Sequence, residues 1–390
     1  MQTKQAISPV AAVIVGMLGL AAAMGIGRFA FTPLLPLMQA QSGLSLAQGG
    51  WLAAANYAGY LAGALGCVLA NPSPGTAARA GLAGVALATL AMGLTGDVPA
   101  WLLWRALAGV ASALALVGIS AWALQRLERA ERPHWAGWVF AGVGTGMVFA
   151  GLVSLIVGVQ GATPSAGWLV LGAAAAVVLV STWPWFASSQ AADPTRVPAG
   201  ATRFDAEAWR LIGCYGVFGF GYIIPATFLP ALARQLIADP ATFRWIWPVF
   251  GVAAAVSTVA ASLALRSVAP RRIWATGQVV MAAGVAAPVV ASNVGMLLFA
   301  AIAIGGTFML ITMAGMQEAR RIAGNAAGRL IAAMTAAFAL GQLLGPLVVS
   351  VLSSRPDALH LSSLAAAALS LASAAVLTTP RRLDDARAHR

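Results

Sequence analysis

Two arginines, Arg28 and Arg105, lie inside stretches that are otherwise apolar. A cation inside a membrane-crossing helix costs roughly 2.5–3.5 kcal/mol on insertion scales, so it faces a protein interior or a wet cavity and takes a partner there. Arg28 belongs to Gly25-Ile26-Gly27-Arg28-Phe29-Ala30-Phe31-Thr32-Pro33-Leu34-Leu35-Pro36, well within an apolar run from Val10 to Met38. Gly25 and Gly27 let a helix or a ligand approach the backbone, and Pro33 and Pro36 each remove a helical hydrogen bond and can bend or break the helix toward its outer end. A guanidinium in such a place offers a fork of donors that matches a carboxylate. The structural alternative for Arg28 is packing against backbone carbonyls that only orients its helix. For Arg105 it is a backbone cap or a clamp on Asp97.

All eleven carboxylates fall at predicted helix ends, loops or tails: Asp97, Glu128, Glu131, Asp193, Asp205, Glu207, Asp239, Glu318, Asp357, Asp384 and Asp385. Apart from Asp97, none is placed to neutralise either arginine. Two desolvated cations without an internal counter-ion favour an anion between them, and the chemistry this points to is binding of a small organic anion, carboxylate-like. Tyr222, Thr227, Asn56, Thr307 and Gln342 are polar groups within spans that can offer such a ligand hydrogen bonds, although each alone is more often an interhelical hydrogen bond, Tyr222 being the one evenly balanced between the two. Gly59 and Gly63, Gly142 and Gly146, and Gly341 and Gly345 have the small-xxx-small spacing of close helix packing. Trp245 and Trp247 suit an outer aromatic belt. His134 and His360 fall in loops and His389 in the tail, so no intramembrane acid or histidine is available for a proton relay. Cys67 and Cys214 fall in spans, which argues against a disulfide framework or a zinc site; no cofactor or metal is expected.

These residues must be positioned by membrane helices. The chain has 390 residues, 60% hydrophobic and 9% charged, too much apolar surface for a soluble domain to hide. Windows of about 20 apolar residues give twelve spans: Val10–Met38, Gln48–Ala70, Ala77–Gly96, Pro99–Gln125, Trp135–Gly158, Gly167–Ala187, Trp209–Leu236, Phe243–Leu265, Arg272–Ala291, Gly295–Gln317, Ala326–Leu352 and Leu359–Thr378. The first is read as an uncleaved helix, since hydrophobicity runs on too long for a signal peptide. The net charge of +12 forms no basic stripe with interleaved aromatics, so nucleic acid is not an expected partner. Instead the arginines gather in alternate loops, leaving only Arg234, Arg244 and Arg355 on the opposite side, which places both termini in the cytoplasm. The polar interval after the sixth span, with Pro194, Pro198 and Gly200, reads as a linker. The expected organisation is a six-helix bundle over 1–187, a cytoplasmic linker over 188–207, a second six-helix bundle over 208–380 and a tail over 381–390.

A shift of 194 residues aligns Gly25 with Gly219, Gly27 with Gly221, Leu35 with Leu229, Pro36 with Pro230, Trp51 with Trp245, Arg126 with Arg320 and Gly151 with Gly345. Tyr222 then occupies the repeat position of Arg28. Two parallel repeats, with Arg105-Ala106-Leu107-Ala108-Gly109 in the fourth span, resemble the major facilitator superfamily and its fourth-helix Arg-x-x-x-Gly signature. Gly25 to Met38, Tyr215-Gly216-Val217-Phe218-Gly219-Phe220-Gly221-Tyr222, Thr227-Phe228-Leu229-Pro230, Gly305-Gly306-Thr307-Phe308 and Gly341-Gln342-Leu343-Leu344-Gly345-Pro346 are similar to the YbfB/YjiJ-type branch. The loop Gly66 to Gly75 lacks the acidic-basic Gly-x-x-x-Asp-Arg pattern that helps gate the inner side in the superfamily.

The resemblance implies an all-α polytopic membrane protein that works by alternating access about a midplane site lined by helices one, four, seven and ten. On that arrangement Arg28 and Arg105 both lie in the outer half, at similar depth. The function expected is a secondary transporter of a small organic anion in the bacterial inner membrane, acting as a monomer in the lipid bilayer. An efflux pump for neutral or anionic compounds is the alternative. A membrane-embedded enzyme would need clustered acids, a metal set or a nucleophile with its base, none of which the spans carry, and a channel would need a filter loop or rings of charge.

Overall fold

A computed structural model describes residues 8–187, 204–236, 245–291, 293–351 and 358–379. Among these the chain is all-helical. Helix α1 (Pro9–Leu20) runs through a wider turn at Ala21–Ile26 into α2 (Phe31–Ser42). There follow α3 (Leu46–Ala70), α4 (Pro74–Leu94), α5 (Val98–Arg129), α6 (Ala136–Val159) and α7 (Pro164–Ala187). The second group comprises α8 (Ala206–Leu236), α9 (Ile246–Ala264), α10 (Pro270–Val290), α11 (Val294–Ala323), α12 (Ala327–Val351) and α13 (Ala358–Thr378). Among the described residues each predicted span overlaps a helix, α1 and α2 together taking the first. Ten segments among the described residues are long and apolar enough to cross a membrane; one of them, Val294–Gly345, holds both α11 and most of α12, and α8 is not among them.

The helices begin where the sequence supplies side-chain acceptors for their first amides. Ser8, Ser73 and Asp97 cap α1, α4 and α5, each just ahead of a proline in the first helical turn, and Ser45 with Gln48 forms a reciprocal capping box on α3. Four of them, α2, α3, α6 and α11, end one or two residues before a position with positive φ, at Gly43, Asn71, Gly161 and Gly324.

Within the first group α5 lies against α3 and α4, α7 against α4, and α6 against α1; within the second, α12 lies against α8, and α10 against α11 and α13. The two groups meet along two seams, α6 with α9 and α3 with α12. Glycines set how closely the backbones approach. A Cβ on Gly25 would run into the Gly146 backbone, and one on Gly142 into the Met17 carbonyl. In the second group a Cβ on Gly341 would meet the Gly216 carbonyl, and one on Gly345 the Ile223 side chain. Both bundles therefore pack their first helix against their fifth through small residues. At the α6/α9 seam Gly137 faces Thr258 and Gly144 faces Gly251 in the same way.

Candidate functional site

The site is built on a break in the first span. After Leu20 the helix widens: Gly27 and Phe29 donate to the carbonyls of Ala22 and Met24, five residues back, at 2.9 and 3.0 Å. Such π-helical turns are rare and tend to mark functional positions. The chain then turns over Gly27–Ala30 before α2 begins. Pro33 has no amide, and the Thr32 amide turns to Phe29 O at 3.3 Å instead of reaching Arg28 O. The break therefore precedes the prolines. Pro33 sits in the first turn of α2 and Pro36 inside it, so the turn over Gly27–Ala30 lies on the N-terminal side of Pro33, where its ring and missing amide act.

Arg105, on α5, closes this break. Its Nη1 and Nη2 donate to Gly27 O and Arg28 O, both at 3.4 Å, and its guanidinium lies 4.7 Å from the centre of the Phe31 ring. Two more hydroxyls do similar work, Ser112 donating to Ala23 O at 2.8 Å and Ser154 to Pro33 O at 2.7 Å. Asn56 ties α3 to α5 by donating from Nδ2 to Arg105 O at 3.0 Å. Asp97 does not clamp Arg105: its carboxylate accepts from the Ala100 amide at 2.9 Å as a helix cap.

Arg28 is 3% exposed and stands at the junction of the two bundles. Its Nη2 donates to Gln342 Oε1 on α12. The guanidinium carbon lies 3.8 Å from the ring centre of Tyr60, 5.4 Å from that of Tyr57 and 5.9 Å from that of Phe29, the arrangement of a cation held by aromatic faces. Its Nε and Nη1 have no hydrogen-bond partner, and among the described residues no carboxylate pairs with it. Asn56 Oδ1 and Arg105 Nε are likewise buried and unpartnered.

The second bundle faces this cation with rings. Tyr222 stacks on Phe308 at 5.2 Å and on Phe338 at 6.2 Å, Phe250 and Trp247 stack at 5.7 Å, and Phe29 crosses from the first bundle to within 5.9 Å of Phe308 and 6.2 Å of Trp247. Trp247 is thus half-buried in this cluster, with its indole N–H unpartnered, and is not part of an outer belt; Trp245 is exposed. Thr307 turns its hydroxyl to its own helix, donating to Ala303 O at 2.6 Å. Gly27 faces the Ser112 hydroxyl and Val85. The side chains of Thr227 and Pro230 lie outside the described residues. The structure thus gathers Arg28, Arg105, Asn56 and Gln342 around one point, with Tyr222 in the facing wall. Tyr57, next to Asn56, and Tyr60, one helical turn beyond it, were not singled out from the sequence, where nothing local marks them.

At the arginine-rich end of the bundle the carboxylates are in use. Glu128 at the end of α5 pairs with Arg320 of α11 at 2.7 Å, and Gln317 Nε2 donates to Pro133 O at 3.1 Å, so both contacts join the two bundles. Glu318, predicted at a helix end, lies inside the longer α11 with its side chain fully buried, and it pairs with Arg271 at 2.9 Å and Arg321 at 2.7 Å. Arg271 also pairs with Glu207, which holds Arg210 at 2.9 Å.

A crystal structure described as the human organic anion transporter MFSD10 (TETRAN) superposes with a TM-score of 0.73 over 95% of this chain and 99% of that one, at 13% identity, a likeness of fold. No curated protein sequence matches. The family model described as "Uncharacterised MFS-type transporter YbfB" matches residues 20–378. With nearly its whole length inside that match, the chain belongs to this family of major facilitator transporters.

Proposed function

We propose that this transporter moves a small organic anion with a carboxylate-like group across the bacterial inner membrane by alternating access, with both termini cytoplasmic, and that Arg28 is the group the anion meets. One observation carries the reading: Arg28 is buried, has two nitrogens without partners, and is faced by a neutral amide and aromatic rings where a structural cation would have a carboxylate. A buried charge in that state calls for a counter-ion. Arg105 is assigned a different part, since its terminal nitrogens already serve the carbonyls of the broken helix. Around the cation the walls are Tyr57, Tyr60, Phe29 and the ring cluster of Tyr222 and Phe308. They favour an anion whose body is apolar or flat. Nη2 carries two N–H groups, of which Gln342 takes one, so a bidentate carboxylate contact shares that nitrogen with Gln342 and draws its second donor from the free Nε or Nη1.

The test is thermal unfolding of the purified chain and of Arg28→Ala against a panel of organic anions, cations and neutral metabolites, because a ligand that binds the folded state raises its stability. Stabilisation by one class of carboxylates, lost in a well-folded Arg28→Ala, is the expected outcome. Stabilisation by cations or neutral compounds to the same extent in both proteins would return Arg28 to a structural role.

A further inference from the structure

Among the described residues, the one side-chain hydrogen bond that Arg28 makes goes to an amide. Gln342 stands on α12, is 1% exposed, and accepts from Arg28 Nη2 through Oε1. The two residues belong to different bundles, at the seam where α3 lies against α12. Gly341 and Gly345 press this part of α12 against α8, which fixes the backbone that carries the amide. A side chain whose work was to settle a buried cation would be a carboxylate. The molecule uses that solution at its arginine-rich end, where the buried Glu318 meets both Arg271 and Arg321. Glutamine and glutamate share length and branching, so the counter-ion missing at 342 differs from the residue present by an NH₂ in place of an oxygen.

An amide oxygen accepts the hydrogen bond and so orients the guanidinium, but it leaves the charge uncompensated. We propose that Gln342 is the specificity-determining residue of the Arg28 site: a neutral acceptor that aims the cation and leaves the counter-ion's place to the transported anion. This role rests on the reading of Arg28 as the anion's receptor. Two substitutions then have opposite consequences. Gln342→Glu supplies from within the charge that the anion brings, so it should raise the unfolding midpoint of the bare protein and cancel its response to carboxylates. Gln342→Leu removes the acceptor and keeps apolar bulk. The bare protein should then unfold at a lower temperature, and an anion, now relieving a cation with no hydrogen bond at all, should raise the midpoint by more than in the wild type. A Gln342 that merely ties α12 to the first bundle would move the bare midpoints in the same directions, so the response to anions decides.

The experiment uses the full-length chain in neutral detergent at matched ionic strength. Unfolding midpoints of the wild type, Arg28→Ala, Gln342→Glu and Gln342→Leu are compared in chloride, benzoate and hexanoate, one carboxylate with a flat body and one with an apolar chain. A rise of a few degrees over chloride with at least one carboxylate is expected in the wild type. It should vanish in Arg28→Ala and in Gln342→Glu and grow in Gln342→Leu. A rise that is lost in Arg28→Ala but undiminished in Gln342→Glu leaves the anion site standing and overturns the role of Gln342. No rise in the wild type, or the same rise in all four proteins, overturns the anion site and this role with it. Should Gln342→Glu not purify as a monodisperse protein, Gln342→Leu decides alone, and a rise no larger than that of the wild type overturns the proposal.

Discussion

Two buried arginines, one of which donates to the other's backbone carbonyl, do opposite work. Arg105 supplies donors to two carbonyls that the broken helix leaves short, whereas Arg28 keeps two donors unused. Their variants should therefore separate. Arg105→Leu leaves buried carbonyls unpaired and should cost about 1–3 kcal/mol, read as a lower unfolding midpoint. Arg28→Met removes a cation without a counter-ion and should leave the midpoint unchanged or raise it, while abolishing anion binding. Equal destabilisation by both would contradict this division of labour. Both arginines were legible in the sequence because a charge inside an apolar run is conspicuous, and so were Asn56 and Gln342. Tyr57 and Tyr60 were not, since aromatic residues are ordinary in a span and nothing local marks the two that a cation will lie against. Nor could the carbonyls served by Arg105 be read off, because they become available only once the helix has widened.

Among the elements, the apolar windows located every helix, but their edges stop where the hydrocarbon stops. Helix α5 has 32 residues and α11 has 30; at 1.5 Å per residue α5 is about 48 Å long, against a hydrocarbon core of about 30 Å. The overhang carries Glu128 and Glu318 beyond the apolar windows while leaving them helical, which is why both were read as loop or end residues. The glycine spacings were legible too, though which helix each would face was not. Gly146 lies where α6 meets the Ala21 carbonyl at the start of the wide turn. Gly146→Ala should push α1 away from α6 and cost about 1–3 kcal/mol, the usual penalty for overpacking, measurable as reduced thermal stability. A variant as stable as wild type would mean that this contact relaxes freely.

Across the whole molecule, the two bundles are joined in the middle by Arg28 with Gln342 and at the arginine-rich end by Glu128 with Arg320. Gln317 with the Pro133 carbonyl adds a neutral contact at the same end. Glu128 is half-exposed, so the pair contributes under about 1 kcal/mol to stability. A difference of that size still changes a two-state population up to roughly fivefold. With Cys67 and Cys214 replaced by alanine, a Met313→Cys reporter, in the cavity that Glu128 and Arg320 also line, should be alkylated several times faster when Glu128→Gln is present. An unchanged rate would show that the pair does not hold this end shut. The pairing itself was beyond sequence reading, because it joins residues 192 positions apart across a seam that only assembly of the bundles creates.

The widened turn at Ala21–Ile26 has one more consequence, which concerns chain length instead of side-chain identity. A turn whose hydrogen bonds reach back five residues accommodates one residue more than an α-helical turn between the same neighbours. Each residue of an α-helix advances the azimuth by about 100°, so the heading of Arg28 toward Gln342 is written as an extra position in the chain. Removing any one of Ala21, Ala22 or Ala23 would keep every functional side chain in the sequence and still swing the cation off its target, whereas exchanging those alanines for other small residues would leave its heading intact.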